Sequence, residues 1–206
     1  MRGRKGESEQ PATLTDWARK WGAGILEPLA RLIARTGISP NAVTVTGLVL
    51  NAGVAWVLAR GHMRVGGLLV ALAGLLDALD GTLARLTGQK SRFGAFLDSF
   101  VDRLCEATLY LGLLIFYTRH GARREIVLIY ATIVGSLLIS YARARAEGLG
   151  LECKVGLLTR MERAAILALA LLLDRMSIAL WALAVLTNFT ALQRVYHVWR
   201  ATKGDL

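Results

Sequence analysis

Four aspartates stand within residues 75–104, a stretch otherwise rich in leucine, alanine and phenylalanine: Asp77, Asp80, Asp98 and Asp102. An aspartate near the middle of a membrane-spanning helix costs about 2.5–3.5 kcal/mol on insertion scales. The residues of the first pair are three positions apart and those of the second pair four. On helices each pair therefore projects from one face, which argues against an exposed loop. The pattern indicates that the four carboxylates serve one site.

Too few basic side chains lie nearby to neutralise these acids. Arg85 and Arg103 are the nearest, and we expect Arg103 to pair with Glu106, one turn away. A cluster of negative charge in a medium of low dielectric then needs cations. Carboxylate oxygens select hard divalent ions, Mg²⁺ or Mn²⁺ before Zn²⁺. Two ions sharing carboxylates at about 3.5–4 Å are usual in phosphoryl chemistry, so the sequence predicts two divalent ions here.

Small residues accompany both pairs of aspartates. Gly81 directly follows the first pair, and Gly94 lies one turn before the second. Inside a helix, glycine costs roughly 1 kcal/mol relative to alanine, a cost that close approach of a ligand or another helix would offset. Ala84 is small as well, and Arg85 adds a positive charge. Together with the metal cluster, these residues predict a pocket for a pyrophosphate.

The elements that carry this site are apolar blocks. Hydrophobic residues make up 54% of the 206-residue chain and charged residues only 19%, whereas a soluble domain is usually nearer half apolar and a quarter charged. This distribution predicts an all-α integral membrane protein. We expect six transmembrane helices at residues 47–59, 66–86, 93–118, 126–142, 157–173 and 177–193.

The chain before the first block starts polar and becomes amphipathic. Trp17, Trp21 and Ile25 recur at four-residue steps, with basic residues between them. That pattern suits a helix lying in the membrane interface, and a packing helix of a soluble bundle is the alternative. The expected segments are a disordered cytoplasmic tail over 1–12, an amphipathic juxtamembrane helix over 13–36, a six-helix transmembrane catalytic domain over 37–200 and a cytoplasmic tail over 201–206.

The net charge of +10 is distributed unevenly between the two ends of the predicted helices. With the N-terminus inside, 18 of the 25 Lys and Arg residues fall on the cytoplasmic side and 6 on the opposite side. The positive-inside rule then predicts a multi-pass protein of the cell membrane with both termini in the cytoplasm. Both pairs of aspartates should lie in the cytoplasmic half, face to face on antiparallel neighbours. No basic cluster with interleaved aromatic residues indicates nucleic-acid binding.

The spacing of the acids and small residues resembles the signature of the CDP-alcohol phosphotransferases. The signature positions in this sequence are Asp77, Asp80, Gly81, Ala84, Arg85, Gly94, Asp98 and Asp102. All eight fixed positions match, with every spacing kept, over 26 residues. The resemblance extends to the six-span layout and the amphipathic N-terminal helix. It implies an enzyme of phospholipid biosynthesis that transfers a phosphatidyl group from CDP-diacylglycerol to an alcohol and releases CMP.

The resemblance also implies roles for individual residues. Asp77, Asp80 and Asp98 would be metal ligands. Asp102 would be the general base that takes the proton from the attacking hydroxyl, and it is counted with the metal ligands as well. The residues expected to contact the CDP-lipid are Asn41, Thr44, Gly81, Ala84, Arg85, Ser91 and Gly94. The first two belong to the segment SPNAVT, residues 39–44, whose Ser-Pro-Asn is also an ordinary helix-start signal.

Basic residues near the cytoplasmic ends of the later helices are candidates for holding the acceptor. Arg143, Arg163 and Arg194, together with Ser140, fall there and would suit a phosphate, although the positive-inside rule alone also explains such arginines. The region resembles that of bacterial phosphatidylinositol-phosphate synthases, with Arg143 in place of the usual lysine. The resemblance favours inositol phosphate as the acceptor. Glycerol 3-phosphate is the first alternative, and free inositol or serine follows.

Two further expectations concern the rival class of protein and the oligomeric state. A divalent-cation transporter also places acids in the membrane, but it would spread them along a path rather than gather them at one depth. Family resemblance implies a homodimer. Gly112 and Gly135 are small residues that would permit close contacts between helices.

Overall fold

The computed structural model describes residue 28 and residues 31–32, 34–35, 37–86 and 91–203, apart from the side chains of residues 76, 78–81 and 84–85. Regular structure within these residues is helical throughout, without a strand, which confirms the predicted all-α class. The helices are α1 Pro40–Ala59, α2 Met63–Leu86, α3 Arg92–Arg119, α4 Arg123–Gly148, α5 Arg160–Leu172 and α6 Met176–Thr202.

The two N-terminal segments expected from the sequence lie mostly outside the described residues. The predicted tail over 1–12 lies wholly outside them, as do the tryptophans of the predicted amphipathic helix. Positions 28, 31–32 and 34–35 are helical, in agreement with a helix in this part of the chain. Its location in the membrane interface stays a prediction.

Side-chain caps explain where three of the helices begin. Ser39 accepts a hydrogen bond from a backbone N–H in the first turn of α1 at 3.3 Å. Ser91 does the same for α3 at 2.9 Å. Before α5, the Glu162 carboxylate accepts from the Thr159 N–H at 2.8 Å. These caps satisfy donors that have no partner inside a helix, so polar residues set the helix starts.

Several helices differ in length from the predicted spans, because hydropathy does not register polar turns of a helix. α1 begins at residue 40 rather than 47, and α6 continues to residue 202 rather than 193. α5 has 13 residues, shorter than the predicted 157–173, and extends over about 20 Å. The backbone hydrogen bonds continue through the polar ends of α1 and α6, so the apolar block underestimates both helices.

Three of the described helices, α1, α4 and α6, are long and apolar enough to cross a membrane, judged by length and composition. Within its described residues, α2 contributes a shorter apolar segment, Met63–Leu75. Large apolar side chains face outward along the bundle, for example Trp56, Val127 and Ile178, with exposures of 59%, 65% and 67%. An outer surface of this kind suits a lipid environment rather than water.

Tight glycine turns join α1 to α2 and α3 to α4. Gly61 and Gly121 have φ values of +85° and +66°, a left-handed conformation that side chains with a Cβ rarely adopt. Because the connections are this short, each pair of helices runs antiparallel. The two turns therefore lie at the same end of the bundle, opposite the capped starts of α1 and α3.

The helices do not pack in simple sequence order. α1 packs against both α2 and α3, α2 against α5, and α4 against α6. We expected α2 and α3 to be closely packed neighbours, but within the described residues α3 packs chiefly against α1, and α2 packs against α1 and α5 to the same extent. Asp77 of α2 therefore faces Asp98 and Asp102 of α3 across a space that α5 also borders.

Both glycines expected to permit helix contacts are used within this chain. A Cβ on Gly112 would lie 2.3 Å from the Ala55 carbonyl oxygen, so the glycine allows α1 and α3 to touch through their backbones. A Cβ on Gly135 would lie 2.3 Å from Thr187 Oγ1, at the contact of α4 with α6. These positions thus serve the packing of one chain, and the homodimer stays a prediction.

Candidate active site

Three of the four aspartates converge between α2 and α3. The Asp77 and Asp102 carboxyls lie within hydrogen-bonding distance of each other, and Asp98 lies within electrostatic range of Asp77. The four-residue spacing on α3 puts Asp98 and Asp102 on one face, and that face meets Asp77 of α2. The juxtaposition predicted from spacing and depth is therefore confirmed for these three residues.

An arginine of α5 binds two of the three carboxylates. Arg160 Nη1 lies 2.6 Å from Asp77 Oδ2 and also 2.6 Å from Asp102 Oδ1. Its Nη2 lies 3.2 Å from Asp77 Oδ1, so the contact with Asp77 is bidentate. Arg160 is the first residue of α5, which Thr159 and Glu162 cap. The start of α5 therefore delivers a positive charge to the acidic cluster.

A second ion pair lies one turn further along both α3 and α5. Arg163 donates from Nε and Nη2 to the two oxygens of Glu106, each at 2.7 Å. The pair is enclosed, with side-chain exposures of 3% for Arg163 and 15% for Glu106. The expected pairing of Arg103 with Glu106 is wrong, and Arg103 instead donates to the Ser99 carbonyl on its own helix. The bidentate contact between the two helices is favoured because the planar guanidinium donates to both carboxylate oxygens at once.

A cavity of about 50 Å³ adjoins the two ion pairs on the inner side. Its polar lining comes from Asn51, Asp77, Glu106, Tyr110, Arg160 and Arg163. The cavity has room for water, and Asp77, which lines it, is 36% exposed.

Three of the residues expected on the nucleotide side meet where α1 and α3 begin. A Cβ on Gly94 would lie 3.0 Å from Ser91 Oγ and 3.1 Å from Asn41 Oδ1. Glycine at this position thus lets the α1 amide approach the first turn of α3, as the cost of a helical glycine suggested. Thr44 lies one turn into α1, where its hydroxyl donates to the Pro40 carbonyl at 3.1 Å.

Four of the predicted site residues have side chains outside the description: Asp80, Gly81, Ala84 and Arg85. Their backbone belongs to the last two turns of α2, which follow Asp77 directly. The helical spacing that puts Asp77 and Asp80 on one face is therefore present, and their contacts stay predictions.

The residues proposed for the acceptor have different surroundings. Arg143 forms an exposed ion pair with Glu147 on the next turn of α4, at 2.8 Å. Arg194 is buried and donates to the carbonyls of Ile139 at 2.6 Å and Val155 at 3.0 Å. Ser140 is half-buried and directly follows Ile139 in α4.

These contacts give the proposed acceptor residues unequal accessibility. Arg194 lies within electrostatic range of both Arg143 and Arg163, so the three guanidiniums share one region. Arg163 and Arg194 already hold protein partners, while Arg143 is the most accessible of the three. Their binding of an acceptor stays a prediction.

The donor set fits a divalent cation. The acids that converge here offer oxygen ligands, which suit Mg²⁺ and Mn²⁺, and a cationic group, the Arg160 guanidinium, already lies between two of them. Within the described part of the chain, no three such side chains are yet arranged closely enough to hold an ion. Asp80, the fourth predicted ligand, lies outside that part.

Arg160 is the site residue that sequence reasoning missed. It stands three positions before Arg163, so both arginines share one face at the start of α5. That spacing was readable, but nothing in it indicated that the acids of α2 and α3 lie opposite. The contact joins residues 83 positions apart in the chain.

Comparison with known proteins agrees with the geometry of the site. A family model described as CDP-alcohol phosphatidyltransferase matches residues 37–193. An archaetidylinositol phosphate synthase of Pyrococcus horikoshii is 35% identical over 172 residues, which cover 83% of this chain and 89% of that protein. A phosphatidylinositol phosphate synthase of Mycobacterium marinum is 38% identical over 189 residues, covering 86% of this chain and 80% of that protein.

Solved structures lead to the same family. The phosphatidylinositol phosphate synthase of Mycobacterium tuberculosis with CDP-DAG bound superposes with a TM-score of 0.81 at 33% identity, covering 86% of this chain and 94% of that one. Its complex with manganese and citrate gives a TM-score of 0.81 at 32% identity, covering 84% and 88%. As its aspartate signature predicts, this chain is a transferase that belongs to the CDP-alcohol phosphatidyltransferase family.

Proposed function

We propose that this protein transfers the phosphatidyl group of CDP-diacylglycerol to inositol phosphate and releases CMP, using two divalent ions, Mg²⁺ or Mn²⁺. The observation that carries the proposal is the convergence of Asp77, Asp98 and Asp102 from two helices onto one space. A relative that is 33% identical has been solved with CDP-DAG, and the same protein in complex with manganese. Both observations support this donor and this type of ion.

The residues of α2 and α3 divide the chemistry between them. Asp77, Asp80 and Asp98, together with Asp102, would hold the ions, which supply charge stabilisation to the pyrophosphate and the departing CMP when bound. Asp102 is the general base: it takes the proton of the acceptor hydroxyl as that oxygen bonds to the lipid phosphorus. The phosphorus–oxygen bond to CMP breaks in exchange. Asp102 suits this role because it lies deeper than Asp77, with an exposure of 16% against 36%.

The start of α3 supports the proposed binding of the CDP-lipid. Asn41 and Ser91 approach Gly94 closely, which leaves small and polar groups at the helix ends that border the aspartates. Backbone N–H groups at a helix start suit a phosphate. With Thr44, Gly81, Ala84 and Arg85, these residues would form the nucleotide side of the pocket.

Inositol phosphate is the proposed acceptor because relatives that differ in their lipid part share it by name. The Pyrococcus protein is an archaetidylinositol phosphate synthase and the Mycobacterium marinum protein a phosphatidylinositol phosphate synthase, at 35% and 38% identity to this chain. Arg143, in the same region as Arg163 and Arg194, supports a phosphate on the acceptor. We assign it the first contact, since its exposed pair with Glu147 is easily exchanged.

We further propose that all six helices span the cell membrane, with both termini and the active site on the cytoplasmic side, and that the protein is a homodimer. The excess of Lys and Arg on one side supports the orientation.

The deciding experiment measures CMP release by the purified protein with CDP-diacylglycerol and Mg²⁺ or Mn²⁺. Inositol phosphate, glycerol 3-phosphate, inositol and serine are supplied in separate reactions. Release with inositol phosphate alone is the expected result. CMP release only with glycerol 3-phosphate would support the proposed reaction but show that glycerol 3-phosphate is the acceptor. No CMP release with any acceptor would refute the proposed function.

A further inference from the structure

The position of Arg160 between two carboxylates raises the question of how that arginine and a metal ion can occupy the same site. One nitrogen, Nη1, lies 2.6 Å from Asp77 Oδ2 and 2.6 Å from Asp102 Oδ1. The guanidinium therefore bridges two of the oxygens that would serve as ligands. Asp98 also lies within electrostatic range of Arg160, so this one cation faces three acids.

A divalent cation and this guanidinium compete for the same carboxylates. Both need the same carboxylate oxygens, and Mg²⁺ or Mn²⁺ approaches such oxygens to about 2.0–2.2 Å. Two cations this close would also repel each other strongly in a site of low dielectric. Without any cation, on the other hand, the acids of α2 and α3 would repel one another. The cluster therefore needs one cation or the other.

We propose that Arg160 is an exchangeable counter-ion of the metal site, an inference that rests on the proposed function. In the metal-free protein its guanidinium neutralises Asp77 and Asp102 and holds α5 against α2 and α3. When divalent cations bind, they displace the guanidinium from both carboxylates. Arg160 thereby lowers the apparent affinity for metal and keeps the empty site folded.

The structure gives α5 the means to release Arg160 without moving as a whole. Arg163, one turn later, is enclosed and held by Glu106 at two points of 2.7 Å. Arg160 is 34% exposed, so its side chain has space to swing away from the acids. The second ion pair anchors the helix while the first exchanges.

The first test compares the affinity for Mn²⁺ of the wild type, Arg160→Gln and a control, Arg145→Gln, by titration of the free-ion electron paramagnetic resonance signal. Arg145 is an exposed arginine in the last turn of α4. The Arg160→Gln substitution removes the guanidinium that competes with Mn²⁺ through charge-assisted hydrogen bonds. It should therefore increase the affinity for Mn²⁺ about tenfold, while the affinity of the control stays equal to that of the wild type. Equal or weaker binding by Arg160→Gln would overturn the exchange alone. No binding by any of the proteins would overturn the metal site as well.

The second test separates exchange from a purely structural role. Melting temperatures of the same proteins are measured with a chelator and with saturating Mn²⁺. Exchange predicts that Arg160→Gln melts lower than the wild type in chelator but at the same temperature in Mn²⁺. An equal loss under both conditions would show that Arg160 only braces α5 and would overturn the proposal.

A third variant covers the case in which Arg160→Gln does not fold without metal. Arg160→Lys keeps the charge but loses the planar fork that bridges two carboxylates. Exchange predicts an intermediate gain in affinity for Mn²⁺ and an intermediate loss of stability in chelator. If Arg160→Lys binds Mn²⁺ with the affinity of the wild type, the positive charge at this position is enough to explain the affinity. The bridging contact with the two carboxylates would then have no effect, and the proposed exchange would be overturned.

Discussion

The enclosed ion pair between Arg163 and Glu106 should couple α5 to α3 more strongly than any surface pair. Its exposures are 3% and 15%, and both oxygens accept a hydrogen bond at 2.7 Å. Removing one partner leaves the other charged, buried and unpaired, which costs about 3–5 kcal/mol. Removing both with a side chain of similar volume costs far less. We therefore expect Glu106→Gln and Arg163→Met to be severely destabilising singly and to show a coupling energy of about 2–3 kcal/mol.

The matched control is the ion pair of Arg143 with Glu147, which has similar length but side-chain exposures of 48% and 50%. Its double-mutant cycle should give about 0.3–0.5 kcal/mol. Both cycles are measured by SDS unfolding of detergent-solubilised protein, followed by far-UV circular dichroism. Additive effects of the two substitutions at Glu106 and Arg163 would refute the reasoning, because they would show that water or lipid headgroups already solvate each charge.

Three further predictions concern packing, the base and the acceptor. Gly112→Ala puts a Cβ 2.3 Å from the Ala55 carbonyl oxygen and should cost about 1–3 kcal/mol in the same unfolding assay, whereas Gly53→Ala, with no atom within 4 Å, should not destabilise. Asp102→Asn should lower the rate of CMP release at least about 100-fold with the melting temperature in Mn²⁺ retained, and near-normal turnover would exclude it as the base. Arg143→Ala should raise KM for inositol phosphate with little effect on stability, and an unchanged KM would remove it from the acceptor site.

Local patterns determined much of the site. The spacings of the aspartates and of Gly94 are properties of one helix each, so a helical period suffices to put them on a face. Ser39 and Ser91 are capping residues, and both helices begin beside them. The sequence predicted the start of α1 and the end of α6 less well. Polar turns at these ends remain helical, but their hydropathy resembles that of a loop.

Partners between helices were not readable in the same way. We expected Arg103 to bind Glu106 because they are neighbours on one helix, yet Arg163 of α5 binds Glu106. Likewise Gly112 was expected to permit a close contact between helices, but only the structure identifies α1 as the helix that it meets. Each outcome depends on which helices are adjacent and how each is rotated about its axis, and neither quantity is contained in the apolar pattern of a single segment.

The sequence by itself determined the class of protein, the family and the acids that we propose carry its chemistry. These follow from composition, from helical period and from eight positions at set spacings. Only the tertiary structure decided that Arg160 neutralises Asp77 and Asp102, because that contact requires α5 to dock against α2 across 83 intervening positions. Charges in a low-dielectric interior pair with whichever opposite charge the packing brings within a few ångströms, and packing is a property of the whole chain.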